Sequence, residues 1–288
     1  MQEQIYKLKN QDSFEPKHIF DCGQCFRWNE ENDKSYTGVF KGNVLNVKKE
    51  KDTIIFKGII NGNIKDVVED YFDLKRDYTK IKSELSKIDS NLKTSVEYGN
   101  GIRILNQDLI ETILSFIISA NNNIPRIKGI IERICKNFGD KIVWREMTYY
   151  AFPSLEQLKN VSIEEYRKLG LGFRDKRIYD TVHMLLDNQV DYKKWYNEED
   201  TVKVRDELLS LPGVGPKVAD CILLFSDLKR FDVFPIDVWV RRVMNELYIK
   251  NSDETKVNKK EIEKIARQKF GNLEGIAQQY LFYWKRDA

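Results

Sequence analysis

The sequence predicts an α+β fold: an N-terminal antiparallel-sheet domain with helices over residues 1–100, then an all-helical body over residues 101–288. Three observations lead there. Ser35 to Phe40, Val44 to Lys49 and Thr53 to Gly58 are short runs rich in β-branched and aromatic residues, separated by Gly-Asn and charged turns. That is the pattern of an antiparallel meander. From about residue 105 the apolar spacing becomes helical. No strand-like meander is expected after that point, and there is no internal repeat or low-complexity stretch.

The elements follow in order. Asp66 to Leu74 reads as a helix closing the first domain. Asp108 caps the mostly apolar helix Leu109 to Ile118, which breaks at Ala120-Asn121-Asn122-Asn123. Pro125 opens the helix Arg126 to Phe138, closed by Gly139. Ser154 and Ser162 are N-caps, each followed by a carboxylate or amide two to three residues on. Val202 to Ser210 is a further helix.

Composition narrows the function. The chain has 288 residues, 41% hydrophobic and 32% charged, as in an ordinary globular protein. Its 48 Lys and Arg against 45 Asp and Glu leave a net charge of +3, which argues against a basic tail that coats phosphates. No apolar run follows the opening MQEQIYKLKN, and no stretch approaches the ~20 apolar residues of a membrane span. A cytoplasmic protein with reduced thiols is expected, with no membrane partner. Cys22 and Cys25 form C-x-x-C, and His18 lies close enough to make a three-ligand zinc site conceivable. A complete structural set needs four ligands and no second paired motif exists, so no metal is expected. With only His18 and His183, a histidine-based triad is disfavoured.

The chemistry concentrates in Leu211-Pro212-Gly213-Val214-Gly215-Pro216-Lys217-Val218-Ala219-Asp220-Cys221. This reads as a helix end, a Pro-Gly-x-Gly turn and a new helix. Gly213 and Gly215 permit the positive φ of a tight hairpin and let backbone N–H groups approach a phosphate. A plain helix-turn-helix corner explains the turn equally well. Lys217 is followed by Val218, Ala219, Ile222, Leu223, Leu224 and Phe225, an apolar setting that favours the neutral amine a nucleophile requires. In Phe234-Pro235-Ile236-Asp237-Val238-Trp239 an acid stands among apolar neighbours, where it needs a donor or a cation; a helix N-cap is the alternative, and both roles are compatible.

A helix-hairpin-helix, a Gly/Pro-rich loop and an aspartate resemble the signature of the HhH-GPD superfamily of DNA glycosylases. Gly-x-Lys-Val-Ala-Asp-Cys with Pro-Ile-Asp-Val resembles its 8-oxoguanine branch. Further stretches agree in order along the chain: Gly23-Gln24-Cys25-Phe26-Arg27-Trp28, Asn121-Asn122-Asn123-Ile124-Pro125-Arg126-Ile127, Leu169-Gly170-Leu171-Gly172-Phe173-Arg174 and Gly275-Ile276-Ala277-Gln278-Gln279-Tyr280-Leu281-Phe282. No cysteine follows Cys221, so the iron–sulfur cluster of the endonuclease III branch is excluded and no cofactor is expected.

The resemblance implies a monomeric, nucleoid-associated enzyme that acts on damaged double-stranded DNA. It implies that Lys217 is the Schiff-base nucleophile and that Asp237 stabilises the cationic sugar. By the same resemblance the Gly23 carbonyl selects the N7–H of the lesion, Gln278 reads the base edge, and Phe282 and Cys221 sandwich the ring. Asn121 fills the vacated space, Phe173 wedges the duplex, and Arg126 and Arg174 read the opposite cytosine. Trp239 stands where eukaryotic members carry histidine. A non-catalytic DNA-binding module is the main rival, and Lys217 with Asp237 argues against it.

Overall fold

The computed structural model describes residues 2–9, 11, 13–253 and 256–287. Its N-terminal part is a five-stranded antiparallel sheet in the order β1-β5-β4-β3-β2: β1 Glu3–Lys9, β2 Trp28–Glu30, β3 Tyr36–Phe40, β4 Asn43–Glu50 and β5 Thr53–Ile59. The three expected runs are β3, β4 and β5; β1 and β2 extend the sheet at its two edges. β1 alternates exposed residues, Glu3, Ile5, Lys7 and Lys9, with half-buried ones, as an edge strand with one packed face does. The expected helix at 66–74 instead spans Ile64–Tyr71, because the Asn63 side chain accepts from the N–H groups of Lys65 and Asp66 and starts it earlier.

One face of the sheet packs an aromatic core of Phe14, Phe20, Trp28, Tyr36, Phe56 and Phe72. Arg103 sews this core to the helical body. Fully buried, it donates to the carbonyls of Phe72 (3.0 Å), Ser13 (3.1 Å) and Asp73 (2.7 Å). Gln24 does the same next to the C-x-x-C turn, donating to Ile19 and Arg103 carbonyls and accepting from the Leu105 N–H at 2.9 Å. A buried amide with each end satisfied fixes the backbone around it.

The body is helical from Leu109–Ser119 onward, with one departure. Lys141–Trp144 (β6) and Met147–Tyr150 (β7) form an antiparallel hairpin where no later strands were expected. Its turn residues Arg145 and Glu146 have φ of 51° and 64°, the left-handed pair of a type I′ turn. Neither is the Asn or Gly that advertises such a turn. The hairpin holds because Glu3 of β1 accepts from Trp144 Nε1 at 2.7 Å and Arg145 Nε at 2.9 Å. The expected caps are present: Asp108 accepts from the Glu111 N–H at 2.9 Å, and Ser154 and Ser162 each form a reciprocal capping box.

Candidate active site

The hairpin joins the helices Thr201–Leu209 and Pro216–Phe225. Gly213 has φ +89°, and a Cβ there would stand 2.9 Å from Arg177 Cδ and 3.1 Å from Ile117 Cγ2. Gly215 corrects the expectation of two left-handed glycines: its φ is −95°, in extended backbone. It serves as the N-cap of the second helix, with no side-chain cap and open space around it. The start of that ten-residue helix, whose first turn has amides with no intrahelical partner, is therefore open at Gly215.

Lys217 in the first turn and Asp237 at the N-cap of Val238–Met244 line one cleft of about 900 Å³. Gly23, Asn121, Trp239 and Phe282 line the same cleft. Asp237 accepts from the Val240 N–H at 2.8 Å, so it caps the helix, and it lines the cleft with Lys217. Lys217 Nζ lies 5.3 Å from the centroid of the Phe116 ring. Burial pulls its pKa down, but Cys221 and Asp237 favour the ammonium and the net direction is upward. This corrects the expectation of a neutral amine. The apolar neighbours supply only desolvation, whereas Cys221, one helical turn on, and Asp237, brought close by the fold, both favour the charged amine. Burial lifts the Cys221 thiol to about 11, so at neutral pH it is a thiol hydrogen-bonded to a lysine ammonium.

A second space of equal size lies at the other end of the Leu109–Ser119 helix. Asp108, Glu111, Asp140 and Asp227 line it, and burial raises Glu111 to about 7. Its acidic wall opposes a phosphate backbone, and Lys217 and Asp237 are remote from it.

Gly23 has φ +87°, and a Cβ there would lie 3.5 Å from the Phe282 ring. A side chain at this position would lie against the ring that lines the cleft. Gln278 and Cys221 do not line the open cleft. Gln278 is 5% exposed behind Phe282, and its Oε1 is buried with no hydrogen-bond partner. An orphaned buried acceptor beside an aromatic ring suits a ligand edge better than a core. Sequence reasoning missed Gln279, whose Nε2 donates to the Cys22 carbonyl at 2.5 Å and so anchors the turn that presents Gly23. Its place beside Gln278 was the only signal.

Asn121 has φ +52° and faces the cleft. Phe173 is 55% exposed, with the guanidinium carbons of Arg174 and Arg177 4.3 Å and 5.0 Å from its ring centroid. Arg126 is exposed, with one long bond to the Gly170 carbonyl at 3.4 Å. Arg174 differs from the open reader expected of it. It is 2% exposed, and it donates to the carbonyls of Ala120 (3.0 and 2.6 Å), Asn121 (2.8 Å) and Leu171 (3.3 Å). Trp239 projects into solvent at the cleft, with Arg242 5.8 Å from its ring.

All four cysteines are free and buried. Among the described residues no group of three or more His, Cys, Asp or Glu is placed to hold a metal. His18 instead accepts from the Gly101 N–H at 3.2 Å, and burial pushes the Cys22 thiol to about 12.

The 8-oxoguanine DNA glycosylase N-terminal domain family matches residues 7–113, and the HhH-GPD superfamily of base excision DNA repair proteins matches residues 114–272. The apo 8-oxoguanine glycosylase/lyase of Clostridium acetobutylicum is 41% identical with a TM-score of 0.91, over 98% of each chain. The structure of that enzyme with double-stranded DNA containing cytosine opposite 8-oxoguanine also superimposes with a TM-score of 0.91, at 41% identity over 99% of this chain and 98% of that one. A probable N-glycosylase/DNA lyase of Methanothermobacter thermautotrophicus is 31% identical over 239 residues, 76% of this chain and 74% of that protein. Fold, hairpin and full-length likeness thus agree, and the chain belongs to the HhH-GPD superfamily of base excision DNA repair proteins, in its 8-oxoguanine DNA glycosylase branch.

Proposed function

We propose that this chain, acting as a monomer, excises 8-oxoguanine from duplex DNA, preferentially opposite cytosine, and then cleaves the strand through a Schiff base on Lys217. The observation that carries this reading is the meeting of Lys217, Asp237, Gly23 and Phe282 around one cleft. The target nucleotide must leave the stack for Lys217 to reach C1′. Lys217 first gives up a proton to solvent. Its nitrogen then bonds to C1′ as the glycosidic bond breaks, and the base leaves with the bonding electrons and takes up a proton. The carboxylate of Asp237 stabilises the positive charge that develops on the sugar. Ring opening yields the imine, and loss of a C2′ proton expels the 3′ phosphate.

Selection rests on N7, an acceptor in guanine and an N–H donor in the lesion. The Gly23 carbonyl accepts from the lesion and repels guanine, a mismatch worth roughly 1–3 kcal/mol. Phe282 and Cys221 hold the ring faces and Gln278 bonds the edge, using its orphaned oxygen. Asn121 fills the gap and Phe173 wedges the opposite strand. Arg126 and Arg174 donate to N3 and O2 of cytosine; for Arg174, these two acceptors replace the carbonyls that its fork now holds. The hairpin amides at Gly213 and Gly215 take a phosphate. Among the described residues no helix is long and apolar enough to cross a membrane. We place the enzyme in the cytoplasm, at the nucleoid.

The test is cleavage of a duplex carrying one 8-oxoguanine, against undamaged and other-lesion duplexes, with borohydride present. A trapped adduct on the 8-oxoguanine duplex alone is the expected result. Binding without any adduct would make this protein a DNA clamp.

A further inference from the structure

We infer that Arg177 is a phosphate-binding residue that ties the aromatic wedge to the hairpin, an inference that rests on the cleft being the DNA face. Arg177 lies in the first turn of the Asp175–Leu186 helix, and it is exposed. Its stem runs along the hairpin: a Cβ on Gly213 would meet Arg177 Cδ at 2.9 Å and Arg177 Cβ at 3.3 Å. Its guanidinium reaches Phe173, 5.0 Å from the ring centroid. One side chain therefore touches both elements that face the duplex.

Its charge is uncommitted. The other arginines of this corner spend donors on backbone carbonyls: Arg126 on Gly170, Arg133 on Leu169 and Arg174 on Ala120. The acids on its own helix are taken, Asp175 by Arg167 at 2.8 Å and Asp180 by Lys176 at 2.6 Å. Among the described residues no carboxylate or carbonyl bonds the Arg177 guanidinium. An unpaired fork held by its stem on one side and an aromatic face on the other is pre-organised for a planar pair of acceptor oxygens. The duplex backbone supplies that pair as a phosphate. Gly213 is constrained twice, by its φ and by the arginine stem lying against it.

The experiment measures binding of the full chain to a duplex with a tetrahydrofuran abasic analogue, between 50 and 200 mM salt, for wild type, Arg177→Ala and Arg177→Lys. One lost phosphate contact lowers the slope of log affinity against log salt by about 0.9. The wild-type advantage over Arg177→Ala then shrinks roughly 3.5-fold across that range, while Arg177→Lys keeps the slope. Single-turnover excision by Arg177→Ala falls equally opposite C, A, G and T. A parallel slope for Arg177→Ala overturns the inference, because it assigns the residue to wedge packing alone. A loss confined to cytosine overturns it in favour of base reading. Wild-type binding without salt dependence removes the DNA face itself, an outcome distinct from either.

Discussion

The guanidinium of Arg174 holds the carbonyl of Asn121 at 2.8 Å, across 53 residues of sequence, while stacking on Phe173 beside it. Asn121, which we propose fills the gap, and Phe173, which we propose wedges the duplex, are therefore linked through one side chain. Asn121 sits at φ +52°, and Arg174 bonds on both Asn121 and Ala120 stabilise that turn.

This link separates the two arginines. We expect Arg126→Ala to lose excision opposite cytosine by about tenfold to a hundredfold, with smaller changes opposite other bases. Arg174→Ala loosens the Asn121 turn as well, so excision falls opposite all four bases and most opposite cytosine. Single-turnover rates on duplexes with C, A, G or T opposite the lesion give the answer. A uniform loss for Arg126→Ala would place that residue on the backbone.

Lys217→Gln should bind lesion duplex and form no covalent adduct, because an amide does not attack C1′. Borohydride trapping should fall to background. Persistent trapping would move the nucleophile elsewhere.

Asp237→Asn keeps a good N-cap for Val238–Met244, so thermal stability should hold within a few tenths of a kcal/mol. Excision should slow by about a hundredfold or more, since the lost charge matters most when the sugar is cationic. Melting temperature and single-turnover rate read the two effects separately. A wild-type rate would sink the electrostatic role.

The raised pKa of Lys217 has a sign that kinetics can read. The resting amine carries a proton at neutral pH, so excision should accelerate as pH rises toward the lysine's pKa. Cys221→Ala removes one group that favours the ammonium, leaving burial opposed by Asp237. The rising limb of the pH–rate profile should then move to lower pH. An unmoved limb would show that Cys221 acts only as packing.

Gly23→Ala places a Cβ 3.5 Å from Phe282 at a backbone angle of +87°. The strain costs roughly 1–2 kcal/mol of stability. Excision should drop by about tenfold or more, beyond what stability explains, because the methyl stands where the base enters. Equal losses in melting and activity would reduce Gly23 to a turn residue.

Much of the site was legible because local chemistry dictates local backbone. Gly213, Pro216 and Asp237 announce a turn, a helix start and a cap by residue type alone, and the structure places them so. What escaped depends on partners distant in sequence. The protonation of Lys217 is favoured by Cys221 on its own helix and by Asp237 from another, and only the second depends on the fold; the occupation of Arg174 rests on carbonyls whose positions no pattern encodes. The β6–β7 hairpin escaped for the converse reason: Arg145 and Glu146 adopt angles that their residue types disfavour, held by Glu3 from the far edge of the sheet.

The bond from Gln279 to the Cys22 carbonyl spans 257 residues. During synthesis Lys217 and Asp237 emerge from the ribosome before Gln279 does. Until the helix that carries Gln279 docks, the turn at Gly23 is held by Gln24 without Gln279, and the ring of Phe282 is absent. A nascent or C-terminally clipped chain would carry Lys217 and Asp237 without Gln278 and Phe282, the residues we propose hold the flipped base. On that reading, discrimination waits for residues translated after Lys217 and Asp237, and protease trimming of the helix that carries Gln279 would erase it first.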